Sequence, residues 1–145
     1  KKDKQVILKY APHFWDEIKG ELLIGKLNLQ IFSNFLDVNF ASEKLIGWIY
    51  QDGEEISGAS LFFITTDIFT NSTILKEAFW YVRPEKRKSA ISYRLIKKAE
   101  DFAKQNNIQF ISMMHMAYPN PEKLKDFYLK MGYHMVQTEY FKKLS

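Results

Sequence analysis

The chain reads as an α/β fold, a mixed sheet with helices on both faces, and three observations predict it. Two strand-like runs, Leu45–Tyr50 and Ile56–Thr66, are joined by Gln51-Asp52-Gly53-Glu54, and an Asp-Gly pair between alternating runs signals a hairpin. From Ser89 to about Asn106, residues Ile91, Leu95, Ile96, Ala99, Phe102 and Ala103 fall on one helical stripe, with Lys97, Lys98, Asp101 and Lys104 outside it. The largely apolar run Ile108–Met114 comes next, so an antiparallel front half leads into a β-α-β back half. With 145 residues and no linker or repeat, residues 1–145 are expected to form one domain.

The remaining elements follow in order. Val6–Lys9 reads as a first strand. From Pro12 to about Leu27 the residues Phe14, Ile18, Leu22 and Leu23 have helical spacing, broken by Gly20 and Gly25. Residues 28–44 are ambiguous, and Phe32, Phe35, Leu36 and Phe40 would line a second short helix there. Gly58 marks a bulge in its strand, Asp67–Thr73 is a polar loop, and Ile74–Val82 returns to strand. The last helix is punctuated by Asn120 as N-cap, Pro121 at its first position and Gly132 past its end. Its stripe is Leu124, Phe127, Tyr128 and Met131, and Tyr133–Leu144 is expected to close the chain as a strand or a bulged pair of strands.

Composition narrows the chemistry. Hydrophobic residues make up 46% and charged residues 26%, a globular balance. Apolar runs such as Ala59–Ile64 are far too short to span a bilayer, and Lys1–Lys4 followed by Val6-Ile7-Leu8, His13 and Asp16 does not read as a signal peptide. No cysteine is present, which removes disulfides, thiolate metal sites and a Cys acyl-enzyme, and agrees with a cytoplasmic location. His13, His115 and His134 show no ligand spacing, so no metal is expected. A net charge of +4 is mild; it favours an anionic ligand without marking a nucleic-acid binder.

The informative stretch is 79–95, Phe-Trp-Tyr-Val-Arg-Pro-Glu-Lys-Arg-Lys-Ser-Ala-Ile-Ser-Tyr-Arg-Leu. A strand runs into Pro84, a short basic turn and small residues that open a helix. Free N–H groups and the positive dipole end of a helix meet cationic side chains there, which is a place to hold phosphate. A Walker A loop would need glycine where Val82 and Arg87 stand, and no glycine lies between Gly58 and Gly132 to form a dinucleotide loop. Nor is there a Gly-x-Ser-x-Gly nucleophile turn.

What fits is the acetyl-CoA pyrophosphate loop, V-x-P-x-x-R-G-x-G-x-G-x-x-L. Val82, Pro84, Arg87 and Leu95 fall in place, with Lys88, Ala90 and Ser92 standing where that loop has glycines. Phe127-Tyr128-Leu129-Lys130-Met131-Gly132-Tyr133 is similar to "Y-x-x-x-G-F/Y", and Tyr140-Phe141-Lys142-Lys143-Leu144 to "Y-x-K-x-L". In these segments, clearest over residues 45–145, the chain resembles the GNAT acetyltransferases, and Glu77–Lys88 is especially similar to small phage and bacterial members.

The resemblance implies a mostly antiparallel sheet with a splayed strand pair that takes acetyl-CoA, and direct transfer of an acetyl group to a primary amine of a small molecule or protein. It implies that Arg87, Lys88, Ser89, Ala90, Ile91 and Ser92 cradle the pyrophosphate. Trp80, Tyr81 and Val82 would pair with the pantetheine arm, as an added strand pairs with a sheet edge. Tyr128 would protonate the departing thiolate, and Glu77, the one carboxylate in Ile74–Val82, would be the base for a lysine-like amine whose ordinary pKa is near 10. Residues 28–40 and 115–119 would shape the acceptor site. Two rival readings stand beside this one. The first is a GNAT-fold protein that binds acyl-CoA with little or no turnover, motivated by the missing glycines. The second is a nucleic-acid module using Arg83, Lys86, Arg87, Lys88 and Arg94. A homodimer is the common form for a soluble oligomer.

Overall fold

A computed structural model describes residues 2–142 and 144. The hairpin forms as the Asp-Gly pair requires. Gly53 sits at φ +62°, a conformation open to glycine, and joins β1 (Leu45–Asp52) to β2 (Glu55–Thr66). Their register runs from Leu45↔Phe63 to Tyr50↔Gly58, then jumps to Gln51↔Ile56. Ser57 is therefore the extra residue, one position from the expected bulge at Gly58. The loop after β2 is tied by the Asp67 carboxylate, which accepts from the amides of Phe69 and Thr70 and from the Thr70 hydroxyl. β3 (Thr73–Val82) returns antiparallel to β2, and β4 (Phe110–Ser112) pairs parallel to β3, giving the order β1-β2-β3-β4.

One face of the sheet is covered by α1 (Lys2–Glu17), the short α2 (Gly20–Leu23) and α3 (Leu29–Ala41). Ile7, Tyr10 and Leu36 pack there on Leu45, Ala59, Leu61, Phe79 and Tyr81. The other face holds α4 (Ile91–Gln105), whose Ile91, Leu95, Ile96, Ala99 and Ala103 are buried as its stripe predicts, with Phe102 edge-on to Trp48. α5 (Pro121–Lys130) begins where expected: the Asn120 side chain accepts from the Lys123 amide at 3.2 Å. It ends at Gly132, φ +88°, with the Tyr133 amide donating back to the Tyr128 carbonyl at 3.0 Å.

Four expectations are corrected. Val6–Lys9 is not a strand but part of α1. Three consecutive apolar residues carry no period, whereas the buried set Ile7, Tyr10 and Ala11, extended by Phe14, has the spacing of a helix packed on a sheet. Pro12 lies inside that helix rather than opening it, and the run to Leu27 is cut at Ile18–Lys19, where Lys19 takes φ 55°. The ambiguity over 28–44 resolves as α3, capped by the Asn28 side chain accepting from the Ile31 amide. Of Ile108–Met114 only Phe110–Ser112 joins the ladder, because β3 offers it three partners, Ile74, Leu75 and Lys76, before the strands part. Tyr133–Leu144 forms no strand among its described residues. Its Met135, Val136, Tyr140 and Phe141 lie exposed, with no core face to bury them.

Candidate active site

The parting of β3 from β4 creates the site. Between Leu61 and Phe62 the β2–β3 register slips, so Ala78 is an extra residue in β3, two positions past Lys76, the last residue paired with β4. A bulge re-aims the residues on either side of it. Glu77, the residue before it, is 6% exposed, and its Oε2 accepts the Met114 amide at 2.9 Å. From the other side Tyr128 on α5, 7% exposed, donates its hydroxyl to the Met114 carbonyl at 2.7 Å. The two side chains assigned to catalysis from sequence, 51 positions apart, thus grip the two polar ends of one residue.

Their shared environment raises both proton affinities. Burial disfavours the Glu77 carboxylate and raises its pKa from 4.5 to about 8, with the Met114 amide pulling the other way. Burial likewise pushes the Tyr128 phenol well above its ordinary value, reinforced by Glu77 and then Tyr133, so it holds its proton at neutral pH. Aromatic rings enclose the pair. Trp80 lies 6.2 Å from Phe127 and 5.9 Å from Tyr128 between ring centroids, and Tyr133 lies 5.8 Å from Tyr128. The Trp80 indole N–H is buried without a partner, as is the hydroxyl of Ser60 directly across on β2. Leaving such groups unpaired costs about 1–3 kcal/mol each.

The basic corner is arranged differently from its sequence appearance. Arg83 pairs with Glu85 and Glu55, and the Arg87 guanidinium makes two hydrogen bonds to the Glu17 carboxylate while its Nε donates to the Val82 carbonyl at 2.8 Å. Among the described residues, Lys86 and Lys88 have no carboxylate partner. Ala90 stands at the N-cap of α4 without a capping side chain. The Ser89 amide bonds the Lys86 carbonyl and the Ile91 amide reaches the Ser89 hydroxyl at 3.4 Å, whereas the amides of Lys88, Ala90 and Ser92 have no acceptor among the described residues. Those three are the positions where the glycine pattern is broken, so the substitutions leave the backbone donors unspent.

Two surface hollows, one lined by Asn39, Lys44, Phe63 and Lys76 and the other by Val6, Tyr10, Glu55 and Arg83, include none of Glu77, Trp80 or Tyr128. Among the described residues no group of three His, Asp or Glu side chains is placed to hold a metal ion, and no helix is long and apolar enough to cross a membrane.

The sequence pattern that defines the Acetyltransferase (GNAT) family matches residues 10–133. The chain belongs to this family. Solved structures share its fold at low identity. A GCN5-related N-acetyltransferase from Ralstonia eutropha JMP134 is 18% identical, with TM-score 0.74, over 99% of this chain and 93% of that one. A possible acetyltransferase from Clostridium difficile 630 is 16% identical, with TM-score 0.74, over the same shares of each chain, 99% and 93%. A predicted acetyltransferase from Clostridium acetobutylicum, solved with acetyl-CoA, is 16% identical, with TM-score 0.66, over 95% and 91%. No curated protein matches the sequence.

Within this GNAT fold the gap past Lys76 is the splay that the resemblance implies, and Glu77, Trp80 and Tyr128 meet in it. Tyr81 faces the other side of the sheet, stacked on Tyr10 at 5.5 Å. Two residues of the site had no signal in the sequence: Met114 takes part through its backbone, and Glu17 reaches Arg87 across 70 positions. Tyr133, from the quoted Y-x-x-x-G-F/Y segment, is placed beside Tyr128 by the turn at Gly132.

Proposed function

We propose that this GNAT chain transfers an acetyl group from acetyl-CoA directly to a primary amine of a small molecule or protein. The observation that carries the reading is the Glu77–Met114–Tyr128 bridge, in which two buried side chains hold the N–H and the C=O of one residue at the mouth of a strand gap. The pantetheine arm lies along the part of β3 holding Trp80, Tyr81 and Val82, as an extra strand does. The diphosphate rests on the free amides of Lys88, Ala90 and Ser92, with Ser89, Ile91 and the charges of Arg87 and Lys88 completing the corner.

The amine nitrogen attacks the thioester carbonyl carbon and passes a proton to Glu77. A carboxylate at the ordinary 4.5 is a poor base for a group that titrates near 10, and raising it to about 8 closes most of that gap. When the tetrahedral intermediate collapses, the carbon–sulfur bond breaks and the thiolate takes the Tyr128 proton. For this the Tyr128 hydroxyl turns from the Met114 carbonyl toward the sulfur, and the phenolate regains a proton through solvent as Glu77 loses the one it took, which resets both groups. Loop 115–119 borders the acceptor side, where the Lys19 ammonium lies 4.1 Å from the Tyr118 ring centroid.

Calorimetric titration with acetyl-CoA, followed by a free-thiol assay with a panel of amines, tests this reading. At 100 times Kd the ligand stabilises the fold by about 2.7 kcal/mol. Binding without thiol release for any amine supports the second reading, an acyl-CoA-binding GNAT protein, which Lys88, Ala90 and Ser92 in place of glycines favour. The nucleic-acid reading is weakened by the carboxylates paired with Arg83 and Arg87.

A further inference from the structure

We propose that Glu17 is an internal competitor for the coenzyme, occupying on Arg87 the guanidinium edge that the diphosphate takes over, so that coenzyme binding exchanges one ion pair for another. The inference rests on the acetyl-CoA reading above.

The sign of the effect follows from what holds Arg87. Its Nε is fixed on the Val82 carbonyl at 2.8 Å, and its guanidinium carbon lies 5.6 Å from the Tyr81 ring centroid. Those two contacts belong to β3 and position the arginine without help from α1. Glu17, at the last residue of α1, adds a bidentate carboxylate on Nη1 and Nη2, the second at 2.6 Å. A carboxylate and a phosphate present the same two-oxygen edge to a guanidinium, so the two anions compete for the same donors. Exchange requires only that Glu17 withdraw, since Arg87 stays anchored. With the Arg87 and Glu17 side chains 34% and 21% exposed, water reaches the pair and the exchange is open to solution ions. Glu17 therefore lowers affinity for the diphosphate and makes its salt dependence shallower, because salt screens the pair that is lost as well as the pair that is gained.

The experiment is calorimetric binding of acetyl-CoA and of S-acetyl-pantetheine, which lacks the diphosphate, to the full chain. Glu17→Gln keeps the size and removes the charge. It is expected to tighten acetyl-CoA binding by about fivefold, the upper range for a partly exposed pair, and to leave S-acetyl-pantetheine unchanged. Arg87→Ala weakens acetyl-CoA binding, and adding Glu17→Gln to Arg87→Ala has no further effect. Glu17→Asp, which keeps the charge but shortens the reach, falls between wild type and Glu17→Gln and serves if the glutamine variant folds poorly. Unchanged or weaker acetyl-CoA binding in Glu17→Gln, or an equal gain for both ligands, overturns the proposal while leaving the transferase reading in place. Failure of the wild type and every variant to bind acetyl-CoA overturns both.

Discussion

The strand gap and the basic corner lie on the same strand, at Glu77 and just past Val82, yet they are built on opposite principles. In the gap two ionisable side chains are removed from water and each has one defined backbone partner. Burial there changes their proton affinities, so the chemistry is set by desolvation. In the corner the charges stay near solvent and pair with carboxylates from α1, β2 and the adjacent turn. Two of the four cations in the Arg83–Lys88 motif are thus paired in the fold, and Lys86 and Lys88 keep their charges unpartnered among the described residues. Backbone groups place the side chains of the gap, whereas carboxylates place the arginines of the corner.

The largest test of this contrast falls on Glu77. Glu77→Gln keeps an acceptor for the Met114 amide and removes the base, so kcat/KM falls by about 10²–10⁴-fold with acetyl-CoA affinity preserved. Steady-state kinetics beside calorimetry read both. In the wild type kcat/KM rises with pH and levels off above about 8 as Glu77 ionises. Next is Tyr128→Phe, which spares coenzyme binding, slows turnover by about 10²-fold and strands the Met114 carbonyl at about 1–3 kcal/mol of stability in denaturant unfolding. A Tyr128→Phe enzyme of full rate removes this residue from the acid role.

Stability against pH sharpens the comparison further. Below pH 4.5 Glu77 is protonated folded or unfolded, but between 4.5 and about 8 only the folded chain keeps that proton. Stability contributed by the neutral carboxyl is therefore lost as pH rises through that window, and the loss levels off above about 8. Melting curves from pH 5 to 9 should fall in the wild type and flatten in Glu77→Gln, whereas Arg87→Ala keeps the wild-type slope. The smallest effect is at Lys88. Lys88→Ala weakens acetyl-CoA binding by about two- to fivefold at low salt and converges on wild type at high salt.

Legibility in the sequence followed the range of the forces involved. The Gly53 turn, the α4 stripe and the Asn120–Gly132 bounds of α5 depend on residues a few positions apart, and all appear in the structure. Val6–Lys9 was misread because a run of four fits either period, and only the sheet beneath decides between them. Tyr133–Leu144 reads as a strand from its aromatic and apolar residues, yet its described residues pair with no strand of the sheet.

On its own, the order of residues determined the fold class and the turn from strand to helix, because each rests on local periodicity and turn chemistry. Only the tertiary structure decided that Glu77 and Tyr128 share Met114, that burial sets their proton affinities, and that Glu17 neutralises Arg87. Desolvation and ion pairing depend on distance in space, and a separation of 70 positions leaves no mark of it in the chain.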